Sequence, residues 1–274
     1  MSTQPTLAFI GTGNMARAII GGLLSNGYPA ASIWTTGTQL EKLADLKQQG
    51  LHTTTDNNAA VAAADIVILA VKPQILKTVA QSMAEAVQQH QPLIVSVAAG
   101  VLCNSLEQWL GGNIALVRCM PNTPALLQAG ATGLFATESV TSDQRALADT
   151  VLAAVGSRVW VDKESQLDAV TAVSGSGPAY FFLLMEAMQS AGQSLGLAPE
   201  LTDALVLQTA LGAATMACDS DVDVAELRRR VTSPNGTTQA ALESFERDGL
   251  RATVDAALQA AAQRSVTLEQ ELCQ

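Results

Sequence analysis

Leu7-Ala8-Phe9-Ile10-Gly11-Thr12-Gly13-Asn14-Met15-Ala16 decides the fold: four apolar residues, a glycine-punctuated turn, then a helix-patterned segment that continues to Leu24. The string sets a strand, a tight turn and a helix N-terminus in direct succession. Gly11 permits the sharp turn out of the strand, Gly13 lets backbone approach a pyrophosphate with no Cβ between, and Ala16 is small enough for helix and strand to pack closely. The free N–H groups and positive dipole end of the helix then suit the phosphates. A glycine-rich turn by itself needs no ligand. At a strand-to-helix junction, followed by a second strand pattern at 32–35, this one reads as a dinucleotide site.

Outward from that turn, short apolar runs alternate with helical patterns. Strands are expected at 7–10, 32–35, 66–71, 93–97, 115–119, 133–136 and 158–161, with helices at 14–24, 39–49, 74–89, 104–110 and 142–155 between most of them. Such alternation implies right-handed crossovers and a mainly parallel sheet covered on both faces. The expected class is therefore α/β, with a Rossmann-like doubly wound domain over 1–162. After Lys163 the pattern changes to Ala- and Leu-rich helical windows with no convincing strand. Residues 163–274 are expected to form an all-α domain for dimerisation and substrate, broken at 175–178, 196–199, 219–223, 233–236 and 248–249. Neither a repeat nor a low-complexity tract interrupts the chain.

Composition narrows the function classes. The 274 residues are 48% hydrophobic and 15% charged, enough apolar material for a large core. A net charge of −10 argues against nucleic acid, because phosphate binding needs a basic field. The first residues show no basic patch followed by an apolar run, and no uninterrupted apolar stretch is long enough to span a bilayer, so a cytoplasmic protein without a membrane partner is expected. Cys103, Cys119, Cys218 and Cys273 are widely spaced, and His52 and His90 have no evident ligand partners, so neither a disulfide framework nor a metal site is expected. The acidic run at 219–223 briefly suggests a calcium loop, but Val224 and Arg230 stand where its glycine and bidentate Glu belong. A solvated turn is the better reading, with Asp223 capping a helix and Glu226 completing a capping box.

Two segments of the helical half share one design. In Ser174-Gly175-Ser176-Gly177-Pro178 and in Thr232-Ser233-Pro234-Asn235-Gly236-Thr237-Thr238, a hydroxyl residue and a proline open a helix and leave N–H groups unpaired at its first turn. Such an end recognises a carboxylate without a cationic side chain. Each could equally be a plain cap; the pair gains weight beside a dinucleotide domain, since substrate must meet cofactor where the domains join. Beyond Lys163 there is no Lys and no His, so a reaction needing a strong side-chain acid or base has few candidates there. Hydride transfer to an imine needs none, because the substrate can arrive protonated as an iminium. Arg228, Arg229 and Arg230 resemble a carboxylate clamp but sit where arginines complement a helix dipole.

Several motifs together carry a family resemblance: Gly11 to Met15, Ala70-Val71-Lys72-Pro73, Val97 to Gly100, Arg118-Cys119-Met120-Pro121-Asn122-Thr123-Pro124, Ser174 to Tyr180, and Val231 to Thr238. Over nearly its whole length the chain resembles Δ1-pyrroline-5-carboxylate reductases, which reduce pyrroline-5-carboxylate to L-proline in the last step of proline biosynthesis. The resemblance implies that the pyrophosphate lies on Gly11, Thr12, Gly13, Asn14 and Met15. It puts Asn57 on the adenosine ribose, Ala70, Val71 and Lys72 beside the nicotinamide ribose, and Met120, Asn122, Thr123 and Pro124 around the nicotinamide. It maps the substrate loop onto Ser233, Asn235, Gly236, Thr237 and Thr238, with Ser233 and the following backbone N–H groups on the carboxylate and the Thr238 hydroxyl on the ring nitrogen. It also implies an intertwined homodimer, assembled in many members into a decamer. One departure is Asn235, where the family usually has a second glycine; Asn tolerates positive φ better than other residues with a side chain.

The end of the second strand bears on cofactor choice. Thr35-Thr36-Gly37-Thr38 offers no Asp or Glu to bind both ribose hydroxyls and repel a 2′-phosphate, so Thr35 and Thr36 are expected to contact the cofactor and NADPH is expected in preference to NADH, modestly because no Arg stands in that loop. Two other readings compete. One is a hydroxyacid dehydrogenase of similar architecture, which needs a lysine donor that the helical half lacks. The other is a non-catalytic nucleotide sensor, which would bind without turnover.

Overall fold

The computed structural model describes residues 4–273. Eight strands form one sheet in the order β3-β2-β1-β4-β5-β6-β7-β8: β1 (Leu7–Ile10), β2 (Ile33–Thr36), β3 (His52–Thr54), β4 (Ile66–Leu69), β5 (Leu93–Ser96), β6 (Leu116–Met120), β7 (Gly130–Ala136) and β8 (Gly156–Trp160). The first six run parallel and in the doubly wound order. Residues 121–129 are too short a connection for a crossover helix and contain only a 3₁₀ segment, Thr123–Leu127, so β7 returns antiparallel to β6. β8 then pairs parallel to β7.

The central strands are buried along their whole length, which explains why they read as continuous apolar runs rather than alternating ones. Their residues nonetheless divide by a period of two between the two sides of the sheet. Leu7, Phe9, Ile66, Ile68, Leu93 and Val95 pack on one side, and Ala8, Ile10, Val67, Leu69 and Ile94 on the other. The helices of this layer system are α1 (Asn14–Ser25), α2 (Ala44–Gln48), α3 (Asn57–Ala62), α4 (Pro73–Ser82), α5 (Ala84–His90), α6 (Cys103–Trp109) and α7 (Ser142–Ala153). Three details differ from the sequence reading. The helix expected at 74–89 is two, parted at Met83; the one expected at 39–49 begins as a 3₁₀ turn, Leu40–Leu43; and β3 and α3 were too short to register as a period.

After β8 the chain is helical: α8 (Gln166–Val170), a π-helical turn (Thr171–Gly175), α9 (Gly177–Ser194), α10 (Pro199–Cys218), α11 (Val224–Arg230), α12 (Thr237–Arg247) and α13 (Leu250–Leu272). By their contacts the residues form two compact units, 1–176 with 261–274, and 177–260. The sequence boundary at 162 marks the end of the sheet; the contact boundary falls fourteen residues later, at Ser176, and the last turns of α13 belong to the sheet unit. Within the helical unit α9 and α10 pack closely, Thr202 lying against Gly192. Their other faces are open: Phe181, Leu183, Leu205 and Leu211 are each more than half exposed. By length and composition alone α10, with 20 residues and a mean hydropathy of 1.3, could cross a membrane, although it is not an uninterrupted apolar stretch. Glu200 and Asp203 interrupt its apolar run.

Candidate functional site

The residues expected around the dinucleotide gather at the carboxyl ends of adjacent parallel strands. Gly11 leaves β1 at φ 95°, and a Cβ there would lie 2.7 Å from Val71 Cγ1 and 3.0 Å from the Ala70 carbonyl oxygen. Only glycine combines that conformation with so close an approach to the end of β4. Gly13 is the N-cap of α1 and supplies no side-chain cap, so the first-turn N–H groups of a 12-residue helix stay available to an anion. Ala16 is fully buried beneath them. These features fit a bound pyrophosphate. Asn57 opens α3 beside its N-cap Asp56, whose carboxylate accepts the Asn58 and Ala59 N–H groups. Lys72 is exposed at the N-cap of α4, ahead of Pro73.

Three expected cofactor contacts have defined surroundings within the chain. Thr35 and Thr36 are buried in β2, and the Thr36 hydroxyl accepts the Gly11 N–H at 3.2 Å. The Thr36 side chain thus holds the glycine turn against the sheet, while the buried Thr35 hydroxyl has no hydrogen-bond partner; the exposed positions after β2 are Thr38 and Gln39. Asn122 is likewise committed. Its Nδ2 donates to the Ser174 carbonyl at 3.0 Å and its Oδ1 accepts the Ala131 N–H at 2.9 Å, which ties the end of β6 to β7 and to the π-helical turn. These bonds occupy both ends of its side-chain amide, between Met120 and the 3₁₀ segment that Thr123 opens.

The two loops expected to share a design do not. Residues 171–175 are π-helical, the Ser176 N–H donates to the Thr171 carbonyl, and the Ser174 hydroxyl donates to the Val170 carbonyl. That segment is no open helix end. The loop before α12 is one. Asn235 takes φ 59°, the left-handed conformation expected of it, and Gly236 is the N-cap with no side-chain cap. A Cβ on Gly236 would lie 2.5 Å from Ser233 Oγ, so glycine makes room for that hydroxyl at the helix entrance. The backbone donors differ from those expected. The Asn235 N–H is held by Gln239 Oε1 at 2.8 Å and the Gly236 N–H by the Ser233 carbonyl at 3.1 Å. Thr237 and Thr238, in the first turn, have no intrahelical acceptor for theirs.

Charges around the helical loop are internally matched. Asp223 accepts the Glu226 N–H at 2.8 Å, but the Glu226 carboxylate does not close the expected capping box. It pairs with Arg229 and Arg230, which hold it below the usual carboxylate range. Arg228 approaches Glu246 at 4.0 Å. These pairs leave the arginines in a dipole-complementing role. Among the described residues no group of three His, Cys, Asp or Glu side chains is placed to hold a metal ion, and all four cysteines are free.

Sequence reasoning missed one cluster altogether. Arg118, in the middle of buried β6, donates to Glu164 at 2.8 Å and to Glu269 at 2.7 Å. Glu164 Oε1 also accepts the Cys103 N–H at the start of α6. A lone cation within Leu116-Val117-Arg118-Cys119 is the signal that announced it, since a buried charge requires partners.

Comparison with known proteins bears on both units. Residues 164–268 match the family model described as pyrroline-5-carboxylate reductase dimerisation, and residues 6–100 match the one described as NADP oxidoreductase, coenzyme F420-dependent. A pyrroline-5-carboxylate reductase of Pseudomonas aeruginosa is 56% identical over the full length of both chains. One of Vibrio alginolyticus is 43% identical over 96% of this chain and 97% of its own. Among solved structures, a pyrroline-5-carboxylate reductase from Coxiella burnetii superposes with a TM-score of 0.94 at 45% identity, covering 97% of this chain and 99% of that one. The Plasmodium falciparum pyrroline carboxylate reductase, solved with NADP bound, gives 0.84 at 30% identity, covering 97% and 98%.

Proposed function

Because the chain belongs to the pyrroline-5-carboxylate reductase family, we propose that it carries the family's reaction, reduction of the cyclic imine of L-1-pyrroline-5-carboxylate to L-proline with NADPH, through the residues described above. The observation that carries the reading is the α12 entrance: an anion site built from a hydroxyl, a glycine cap and helix N–H groups, in a helical half that has no Lys and no His beyond Lys163.

 Losing either the hydroxyl or the cap geometry removes that site.

When bound, NADPH supplies the hydride. The chain's own groups bind and orient. The pyrophosphate is held by the N–H groups at the start of α1, and the glycine turn that allows this is pinned by Thr36. The substrate carboxylate is taken by Ser233 and the first-turn N–H groups of Thr237 and Thr238, with the α12 dipole in support. The imine nitrogen arrives protonated, and its N–H donates to the Thr238 hydroxyl, which fixes the ring so that the imine carbon is presented in one orientation. Catalysis then rests on positioning rather than on a strong acid. A hydroxyacid dehydrogenase would need a proton donor that this half of the chain does not supply.

The homodimer is the assembly we infer, built through the residues after Lys163, and the decamer of the family is a larger assembly that light scattering distinguishes from it. The setting we infer is the cytoplasm, where free cysteines such as these four persist. Neither nucleic acid nor membrane is a partner in this reading. The test is a steady-state assay with NADPH and NADH against a panel of cyclic imines and 2-keto acids. Oxidation of NADPH with pyrroline-5-carboxylate but not with keto acids is the expected result; binding without turnover, or turnover of keto acids alone, overturns the reading.

A further inference from the structure

We propose that Arg17, one turn into α1, is the residue that recognises the 2′-phosphate of NADPH, and that Asp45 occupies its guanidinium as a competing partner until the phosphate displaces it. The proposal rests on the cofactor reading above. With a pyrophosphate on the start of α1, the adenosine ribose lies toward the end of β2, where dinucleotide folds tell the two cofactors apart. In this chain the Gly11 N–H bonded to Thr36 Oγ1 locks the glycine turn to that strand end. The residues that follow β2 there, Gly37, Thr38 and Gln39, carry no charge.

The cation comes from elsewhere in the sequence. Arg17 Nη2 donates to the Lys42 carbonyl at 2.9 Å, and Nη1 donates to Asp45 Oδ2 at 2.5 Å. Arg17 thus reaches across to the turn after β2 and brings a planar, permanently charged fork to it. Its side chain is 35% exposed and that of Asp45 56%, so the ion pair is open to solvent and costs little to exchange. A phosphate monoester offers three oxygens and more charge than a carboxylate, so it outcompetes Asp45 for the same fork. Lys42, exposed in the same turn, adds a second positive charge. With NADH no phosphate arrives, Arg17 stays on Asp45, and the site is neither helped nor penalised.

The alternative is that Arg17 only braces α1 against the turn at 40–45. Steady-state kinetics and direct binding separate the two, using the full chain with NADPH, NADH, adenosine 2′,5′-bisphosphate and adenosine 5′-monophosphate. For Arg17→Gln the expected result is a loss of about tenfold in kcat/KM with NADPH and in affinity for the bisphosphate, with NADH and the monophosphate held within about twofold. Arg17→Lys should recover part of the loss, and Asp45→Asn should bind NADPH at least as tightly as the wild type. Equal losses for both cofactors, or Asp45→Asn weakening NADPH alone, overturn the proposal. Should Arg17→Gln not fold, the Lys and Asp45→Asn variants decide. Gly13→Val is the control for the underlying reading: it should abolish binding of both cofactors, and its failure to do so would remove the dinucleotide site itself rather than the role of Arg17.

Discussion

Gly236 and Thr238 divide the work at the α12 entrance between space and chemistry. Gly236 leaves room for the Ser233 hydroxyl, and two of the loop's own N–H groups are spent on holding the turn, through Gln239 and the Ser233 carbonyl. What remains for a ligand is short: a hydroxyl on either side and the first-turn donors. Loss of one hydrogen bond to a charged group costs roughly 1.5 to 3 kcal/mol, so Thr238→Ala should lower kcat/KM for pyrroline-5-carboxylate about 10- to 150-fold. NADPH affinity should stay unchanged, because the residue has no part in the cofactor site. Steady-state kinetics with a parallel binding titration check this, and wild-type turnover or an equal loss of NADPH binding would put Thr238 in the wrong role. Asn235 is the residue where side-chain chemistry and backbone agree: its φ of 59° is one that Asn accepts, and the loop keeps its shape without the second glycine.

At the scale of elements, the end of α13 is fastened to the sheet by charge as well as by apolar contact. Leu268 and Leu272 lie near Gly100, Cys273 Sγ accepts the Leu102 N–H, and Glu269 meets Arg118 where β6 is buried. Burial raises the Glu269 pKa above its ordinary 4.5, against the pull of Arg118 and with help from Asp168 and Glu164. The same burial, with Glu164 adjacent, pushes the Cys103 thiol up. A carboxyl raised in the folded state stabilises the fold below its unfolded value and loses that contribution as pH rises through the folded one. Glu269→Gln removes this titration. The variant should therefore gain stability relative to the wild type as pH rises from about 4.5 toward neutrality, measured by urea unfolding at several pH values. A relative loss over that window would mean that attraction to Arg118 outweighs desolvation.

For the whole molecule, the open faces of α9 and α10 require a partner. The dimerisation match over 164–268 supplies one, a second copy of the chain. Burying a leucine contributes about 1.5–3 kcal/mol, and an unpaired carboxylate in its place adds a desolvation cost. Leu205→Asp, on the half-exposed side of α10, should then raise the dimer dissociation constant at least about tenfold, read by light scattering across a dilution series. A wild type that is monomeric at micromolar concentration would reject the interface. The sequence by itself determined the elements whose causes are local. The glycine turn, the apolar strands β1, β4 and β5, the helical half and the Asn235 loop were all legible, because a turn, a period or a cap depends on neighbours along the chain. It did not determine what depends on distant partners. Thr35 and Thr36 read as ligand contacts and lie buried in β2; Asn122 is tied to Ser174 and Ala131; Arg118 looked like part of a motif and meets two carboxylates; the loop right after β2 holds no arginine, yet Arg17 from α1 reaches Lys42 and Asp45 beyond it. Those assignments belong to the tertiary structure, because a polar side chain takes whichever partner the packed chain brings within hydrogen-bond reach, and sequence separation carries no information about that distance.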